Sequence, residues 1–302
     1  MFIADTHSDT LYSIGWKHET WKDLMITPER LAQGGVTLQT FALWSGRDGL
    51  AGDYEGIAAA EYGAVPVLTA AGLKQVDDPS EAKEGELSFM LSIEGCEVFD
   101  KDIAQVEVWR RRGIRMAALT WNNENSIGSP AKGGSTRGLT AYGVQVVREM
   151  QRLGIAADTS HLNEAGFYDI FLKTDRPPLA SHSCCRALCD HFRNLTDDQL
   201  RLMIREGSYV GINFYPSFLS ESGTADCETI AQHIDHICQM GGEGIVGLGS
   251  DFDGIGTTPT DLRHPGDLGN LAAALRRHGY PEAAIEGIMG GNLLAYYRRI
   301  AV

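Results

Sequence analysis

Eight short runs of apolar, β-prone residues recur along this 302-residue chain, with helix signals between them. The runs lie at 2–5, 36–43, 87–93, 114–119, 155–158, 178–181, 209–213 and 245–249. Most are continuous and not alternating. A strand with no polar face must be covered on both sides, as in a parallel sheet wrapped by helices. The helix signals are local. Thr27-Pro28-Glu29 reads as an N-cap followed by proline at the first helical position. Thr196-Asp197-Asp198-Gln199 has capping-box spacing ahead of the apolar stripe Leu200, Met203, Ile204. The segments 103–112 and 142–153 end at Gly113 and Gly154, each suited to the residue that terminates a helix. Glycine supplies 35 of the 302 residues, well above the usual ~7%, as many tight strand–helix junctions require. Eight βα units in this length predict a (β/α)8 TIM-type barrel, somewhat distorted, as one domain over 1–302. An open doubly wound sheet shares the alternation, but no G-x-G-x-x-G follows the first run. The stretch 65–69 reads as a candidate ninth strand.

Charge narrows the partners. Lys+Arg number 26 and Asp+Glu 40, a net charge of −14. Nucleic acid and anionic membrane surfaces both call for a basic face and are excluded on that ground. No apolar run approaches the ~18 residues of a membrane span. The start of the chain lacks a basic stretch followed by an apolar one, so a cytoplasmic location is expected. The six cysteines at 96, 184, 185, 189, 227 and 238 are then expected to be reduced thiols. Cys184, Cys185 and Cys189 match no paired C-x2-C zinc module.

On a barrel of this kind the active site lies at the C-terminal ends of the strands. The first run ends Asp5-Thr6-His7-Ser8-Asp9, where His7 and Asp9 project the same way in extended chain. Alone this pattern is more often a surface turn after a strand. The pattern repeats, however: Glu94 follows the third run, His161 the fifth, His182 the sixth, and Asp251 and Asp253 the eighth. Three histidines with several carboxylates suit a borderline divalent ion such as zinc, with manganese or cobalt as substitutes. The loops at 45–49 and 122–137 are candidates for the lips of a pocket.

The segments Asp5-Thr6-His7-Ser8-Asp9-Thr10, Ser92-Ile93-Glu94-Gly95, Asp158-Thr159-Ser160-His161, Ser181-His182-Ser183, Arg193-Asn194, Asn213-Phe214-Tyr215, Gly249-Ser250-Asp251-Phe252-Asp253-Gly254 and Gly290-Gly291-Asn292 are spread over nearly the whole chain. Together they resemble the membrane (renal) dipeptidase family of zinc metallopeptidases, within the wider amidohydrolase-like group. The resemblance implies two zinc ions, one held by His7, Asp9 and Glu94, the other by Glu94, His161 and His182. Many relatives bridge the ions with a carboxylated lysine; no lysine stands at these strand ends, which leaves Glu94. The resemblance further implies hydrolysis of dipeptides by a hydroxide held between the ions, with D-residues accepted at the second position. Asp251 takes the family's general acid/base role; the alternative is that it caps a helix and Asp253 does the chemistry. Arg193 matches an arginine that grips the substrate carboxylate, against a solvated loop arginine. Tyr215 lines the pocket or belongs to the core. The family often forms dimers, so a homodimer is expected. One departure stands out. Where better-known dipeptidases carry a histidine after Leu-Thr, this chain has Leu119-Thr120-Trp121-Asn122-Asn123. Trp121 offers an indole N–H but no proton chemistry, and Asn122 or Asn123 is left to assist at the carbonyl. Two other readings stay open: hydrolysis of another small amide or ester, and a metal-binding protein without activity.

Overall fold

All eight apolar runs become staves of one closed parallel barrel. The computed structural model describes residues 1–45, 53–100 and 102–301. Among them lie strands β1 (Ala4–Asp5), β2 (Leu38–Trp44), β3 (Lys74–Gln75), β4 (Ser88–Glu94), β5 (Ile114–Ala118), β6 (Ala156–Asp158), β7 (Leu179–Ala180), β8 (Tyr209–Ile212) and β9 (Val246–Leu248). Every pairing is parallel, and the order β2-β1-β9-β8-β7-β6-β5-β4 is closed by β2 against β4 over seven residue pairs. That closure rules out the open doubly wound sheet. The helices are α1 (Thr10–Gly15), α2 (Pro28–Gln33), α3 (Tyr54–Ala70), α4 (Ala104–Arg111), α5 (Ala141–Arg152), α6 (Glu164–Lys173), α7 (Asp197–Glu206), α8 (Pro216–Leu219), α9 (Cys227–Gln239), α10 (Leu268–Arg277), α11 (Glu282–Glu286) and α12 (Asn292–Ile300).

The helix boundaries follow their local signals. Thr27 Oγ1 accepts from the Arg30 N–H ahead of Pro28, and Thr196 and Gln199 complete a reciprocal capping box on α7. Gly113 and Gly154 both have positive φ, at 96° and 71°. The stretch 65–69 is a correction: it lies inside α3, not in a ninth strand. Ile57, Ala58, Glu61, Ala64, Val65 and Leu68 form its buried stripe at helical spacing, and this burial outweighs the break at Pro66. The additional strand is β3, an exposed two-residue edge paired to the start of β4.

At the end of the barrel away from the site, Ala4, Leu38, Met90, Met116, Ala156, Leu179 and Tyr209 pack in one cluster with Leu293, Tyr296, Tyr297 and Ile300 of α12. The last helix thus plugs the barrel. Gly247 on β9 leaves room for the Tyr209 ring, which a Cβ there would overlap. A second, larger core lies between the strands and the outer helices. No described helix is long and apolar enough to cross a membrane. All six cysteines are free, and Cys184 and Cys185 donate through Sγ to the carbonyls of Asn213 and His233. Residues 46–49 of the first candidate lip lie outside the described residues.

Candidate active site

Parallel register brings the carboxyl ends of the staves to one level. Trp44 sits opposite Glu94, and Ala118 opposite Asp158. The residues that follow crowd the mouth. His7 Nε2 lies 3.6 Å from Asp9 Oδ2, 3.7 Å from Glu94 Oε2 and 3.8 Å from Asp251 Oδ1. On the other side, Glu94 Oε1 is 2.9 Å from His161 Nε2 and 3.4 Å from His182 Nε2. The two oxygens of Glu94 therefore face different groups. Two clusters have ligand-atom spacing suited to a cation: His7, Glu94 and His182, and His7, Asp9 and Asp251. The buried Nε2 atoms of His7 and His182 have no hydrogen-bond partner in the protein. Orphaned imidazole nitrogens facing buried carboxylates offer donors of the kind a divalent ion takes.

Second residues fix the rings. Asp158 accepts from the backbone N–H groups of Ser160 and Ser181, each at 2.9 Å, and from the Ser181 hydroxyl. With that hydroxyl proton committed, Ser181 Oγ accepts from His182 Nδ1 at 2.7 Å, which leaves the Nε2 lone pair toward Glu94. Asn122 Oδ1 stands 3.3 Å from His161 Nδ1 and orients that ring in the same way. Asp5 repeats the Asp158 arrangement one side of the ring away. It accepts from the Ser250 N–H at 2.8 Å and from the Ser250 hydroxyl, and so ties β1 to the segment carrying Asp251. Neither Asp5 nor Asp158 was singled out as functional from sequence. Their shared signal is the repeated Asp-Thr pair, at 5–6 and 158–159, just ahead of a histidine.

Asp251 Oδ2 accepts from Asn213 Nδ2 at 2.8 Å, leaving Oδ1 toward His7. Asp253 is committed elsewhere: it accepts from the Thr10 hydroxyl and the Met25 N–H, each at 2.6 Å. His161, Asp251 and Asp253 have φ of 68°, 65° and 66°, three of the four non-glycine residues with positive φ among those described. Left-handed backbone at such residues is disfavoured and concentrates at functional sites.

The electrostatics match the geometry. Burial opposes charge on His7, but Glu94, Asp9 and Asp251 outweigh it and lift the ring to about 10. This environment demands a cation. Burial, followed by the nearby cations Arg193 and His7, pushes His161 and His182 well below the usual imidazole range, which favours the neutral ring a metal would require. Burial raises Asp251 to about 7 and Glu94 well above the carboxylate range.

Asp9, Glu94, His161, Asp251, Trp121, Asn122, Arg193 and Tyr215 all line one cavity of about 330 Å3, with His7 and His182 beneath it. Tyr12, Lys17, Trp44 and Phe218 also line it and carried no sequence signal. Trp121 meets Trp44 edge-on at 5.0 Å, and Trp44 meets Tyr12 at 4.8 Å. The Arg193 guanidinium lies 5.5 Å over the Phe218 ring, and its buried Nε and Nη2 have no protein partner.

The family model described as membrane dipeptidase (Peptidase family M19) matches residues 1–301. An uncharacterized protein in the pqqA 5′ region of Klebsiella pneumoniae is 35% identical over 71% of this chain and 82% of its own. An uncharacterized dipeptidase of Schizosaccharomyces pombe is 34% identical over 75% of this chain, and the match spans 58% of the yeast protein. Among solved structures, a metallo peptidase from Rhodobacter sphaeroides, liganded with a phosphinate mimic of the dipeptide L-Ala-D-Ala, superposes with a TM-score of 0.88. It is 27% identical and covers 100% of this chain and 99% of its own. A family match over nearly the full length, on a closed barrel whose strand ends gather histidines and carboxylates, means that this chain belongs to the membrane dipeptidase family, Peptidase family M19.

Proposed function

We propose that the chain is a dipeptidase working at a two-zinc centre, with residues 1–302 acting as one catalytic unit. The observation that carries this reading is the Glu94 carboxylate, with Oε2 toward His7 and Oε1 toward His161 and His182. His7, Asp9 and Glu94 would hold one ion; Glu94, His161 and His182 would hold the other. Such ions supply Lewis acidity and lower the pKa of water toward neutrality. The other steps belong to the chain. Arg193 receives the substrate's terminal carboxylate with nitrogens that no protein group occupies. The Phe218 ring beneath it and Tyr215 beside it close that end of the pocket. Asp251, aimed by Asn213, takes a proton from the attacking water on Oδ1 and returns it to the leaving amine. Asn122 acts through His161 by holding its ring. The row of Tyr12, Trp44 and Trp121 bounds the pocket on the side of the N-terminal residue.

Trp121 also supports a second reading. With an indole in place of the family's histidine, the same centre suits another small amide or a lactone.

Elemental analysis of gently purified protein, paired with a dipeptide panel that includes D-residues at the second position, tests the proposal. Two equivalents of zinc and turnover of dipeptides are expected, and Glu94→Ala should lower both equivalents together. Retention of both ions in Glu94→Ala would overturn the bridging assignment. Cleavage of lactones or other amides without dipeptides would favour the second reading.

A further inference from the structure

A second cavity, of about 230 Å3, lies beside the catalytic pocket and shares Arg193 with it. Its walls come from the loop after β5, the junction between β6 and α6, and the segment between β7 and α7. Arg193 is only 5% exposed, and its Nε and Nη2 have no protein hydrogen-bond partner. Arg186 lines the second cavity but not the catalytic pocket. Its Nη2 donates to the Phe192 carbonyl at 3.0 Å, while its buried Nε has no partner. Glu164 is the one carboxylate among the described lining residues; it is exposed and forms no ion pair with either arginine. Gln199 Oε1 accepts from the Thr196 N–H at 2.9 Å, which leaves the Gln199 amide nitrogen as a further donor in the wall.

A buried cation is stabilised only by a counter-charge or by hydrogen bonds to its N–H groups. Here two guanidinium groups border one polar cavity, and each keeps a buried N–H without a protein acceptor. Planar forks of this kind match a carboxylate. We propose that the side cavity binds a carboxylate between Arg186 and Arg193. Two sources share that chemistry. One is the side chain of an acidic residue at the C-terminal position of a dipeptide, whose main-chain carboxylate engages Arg193 from the catalytic pocket. This source rests on the dipeptidase reading. The other is a free small carboxylate that shares Arg193 with the bound substrate and regulates its grip.

The test uses metal-loaded protein, as wild type, Arg186→Gln and Arg186→Lys. Each is assayed on Ala-Glu and Ala-Gln in both configurations of the second residue, and titrated calorimetrically with glutarate. If the substrate supplies the carboxylate, kcat/KM for Ala-Glu exceeds that for Ala-Gln by roughly 10- to 100-fold. That ratio falls toward one in Arg186→Gln and is partly kept in Arg186→Lys. If a free carboxylate is the ligand, Ala-Glu and Ala-Gln are cleaved alike, while saturable glutarate binding disappears in Arg186→Gln. Equal cleavage together with glutarate binding indifferent to Arg186 overturns the proposal. Should Arg186→Gln fail to fold, Arg186→Lys decides alone: the Ala-Glu over Ala-Gln ratio or the glutarate affinity must fall below the wild-type value, and an unchanged value of both overturns the proposal. Ala-Ala turnover is scored separately. If no dipeptide is cleaved, the dipeptidase reading fails, while the glutarate titration still decides the cavity.

Discussion

Gly254 shows how closely the site is built around single atoms. A Cβ at this position would overlap Asp9 Oδ2 and Asp251 Oδ1, two carboxylates that face His7. Gly254→Ala is therefore expected to displace Asp9, to lower bound metal by about one equivalent and to depress activity. Circular dichroism should report an unchanged fold. A normal metal count in that variant would count against Asp9 as a metal ligand. Asp251 is held differently. Its left-handed backbone, at a cost of about 1–3 kcal/mol, and the Asn213 amide together turn Oδ1 into the cavity. Asp251→Asn keeps the shape and removes the ability to carry a proton. Its kcat should fall by about 10²–10⁴-fold, with metal content nearly unchanged. Steady-state kinetics and metal analysis on one preparation check this. Near-normal kcat with both ions bound would end the shuttle role. Asp253 does not stand in readily, because Thr10 and Met25 already occupy both of its oxygens.

Among the secondary-structure elements, the helices that brace the barrel begin where their caps say. Asp226 caps α9 by accepting from the Thr229 N–H at 2.9 Å. The Thr229 backbone and side chain hold its carboxyl below the ordinary value of 3.8. A carboxyl with a depressed folded-state pKa contributes stability above its unfolded pKa and loses it as pH falls through the folded one. Asp226→Ala should thus lower stability by about 0.5–2 kcal/mol at neutral pH. The gap from wild type should close below roughly pH 4. Denaturant melts at pH 7 and pH 3 measure it, and an equal gap at both would mean that charge plays no part. Caps such as Thr27, Thr196 and Asp226 are readable because every partner lies within three residues. The helix over 65–69 was not, because Pro66 and its β-branched neighbour Val65 argue locally against it. Packing of the α3 stripe against α1 and β2 decides the matter.

Closure of the barrel gathers negative charge into one place. Asp9, Glu94 and Asp251 come from three different strand ends and meet within 4 Å of a single imidazole nitrogen. Bringing buried carboxylates together opposes folding unless cations offset them. A bound ion that prefers the folded chain raises its stability by mass action. Chelation should therefore lower Tm by several degrees, and added zinc should restore it. In Glu94→Ala the response to chelator should shrink. A Tm indifferent to chelator in the wild type would mean that the ions contribute nothing to the fold. The chain's overall charge of −14 adds to this demand for cations.

The staves, their order along the chain and the polar residue at each carboxyl end could be read without coordinates. Each is a local property: a buried strand is a short apolar run, and the histidines and carboxylates within a few residues of its end stand at the rim. His7, Asp9, Glu94, His161, His182 and Asp251 were visible for that reason. What the residues do for one another was not visible. Asp5 meets Ser250 across 245 residues of sequence, and Asn213 meets Asp251 across 38. The opposite facing of the two Glu94 oxygens, the grip of Asn122 on His161 and the cavity shared by Arg186 and Arg193 have the same origin. These contacts exist only once strands far apart in sequence lie side by side, as β1 does with β9 and β2 with β4. Local preference acts over a few residues, whereas the orientation of a side chain in this site depends on strands that only the tertiary fold brings together.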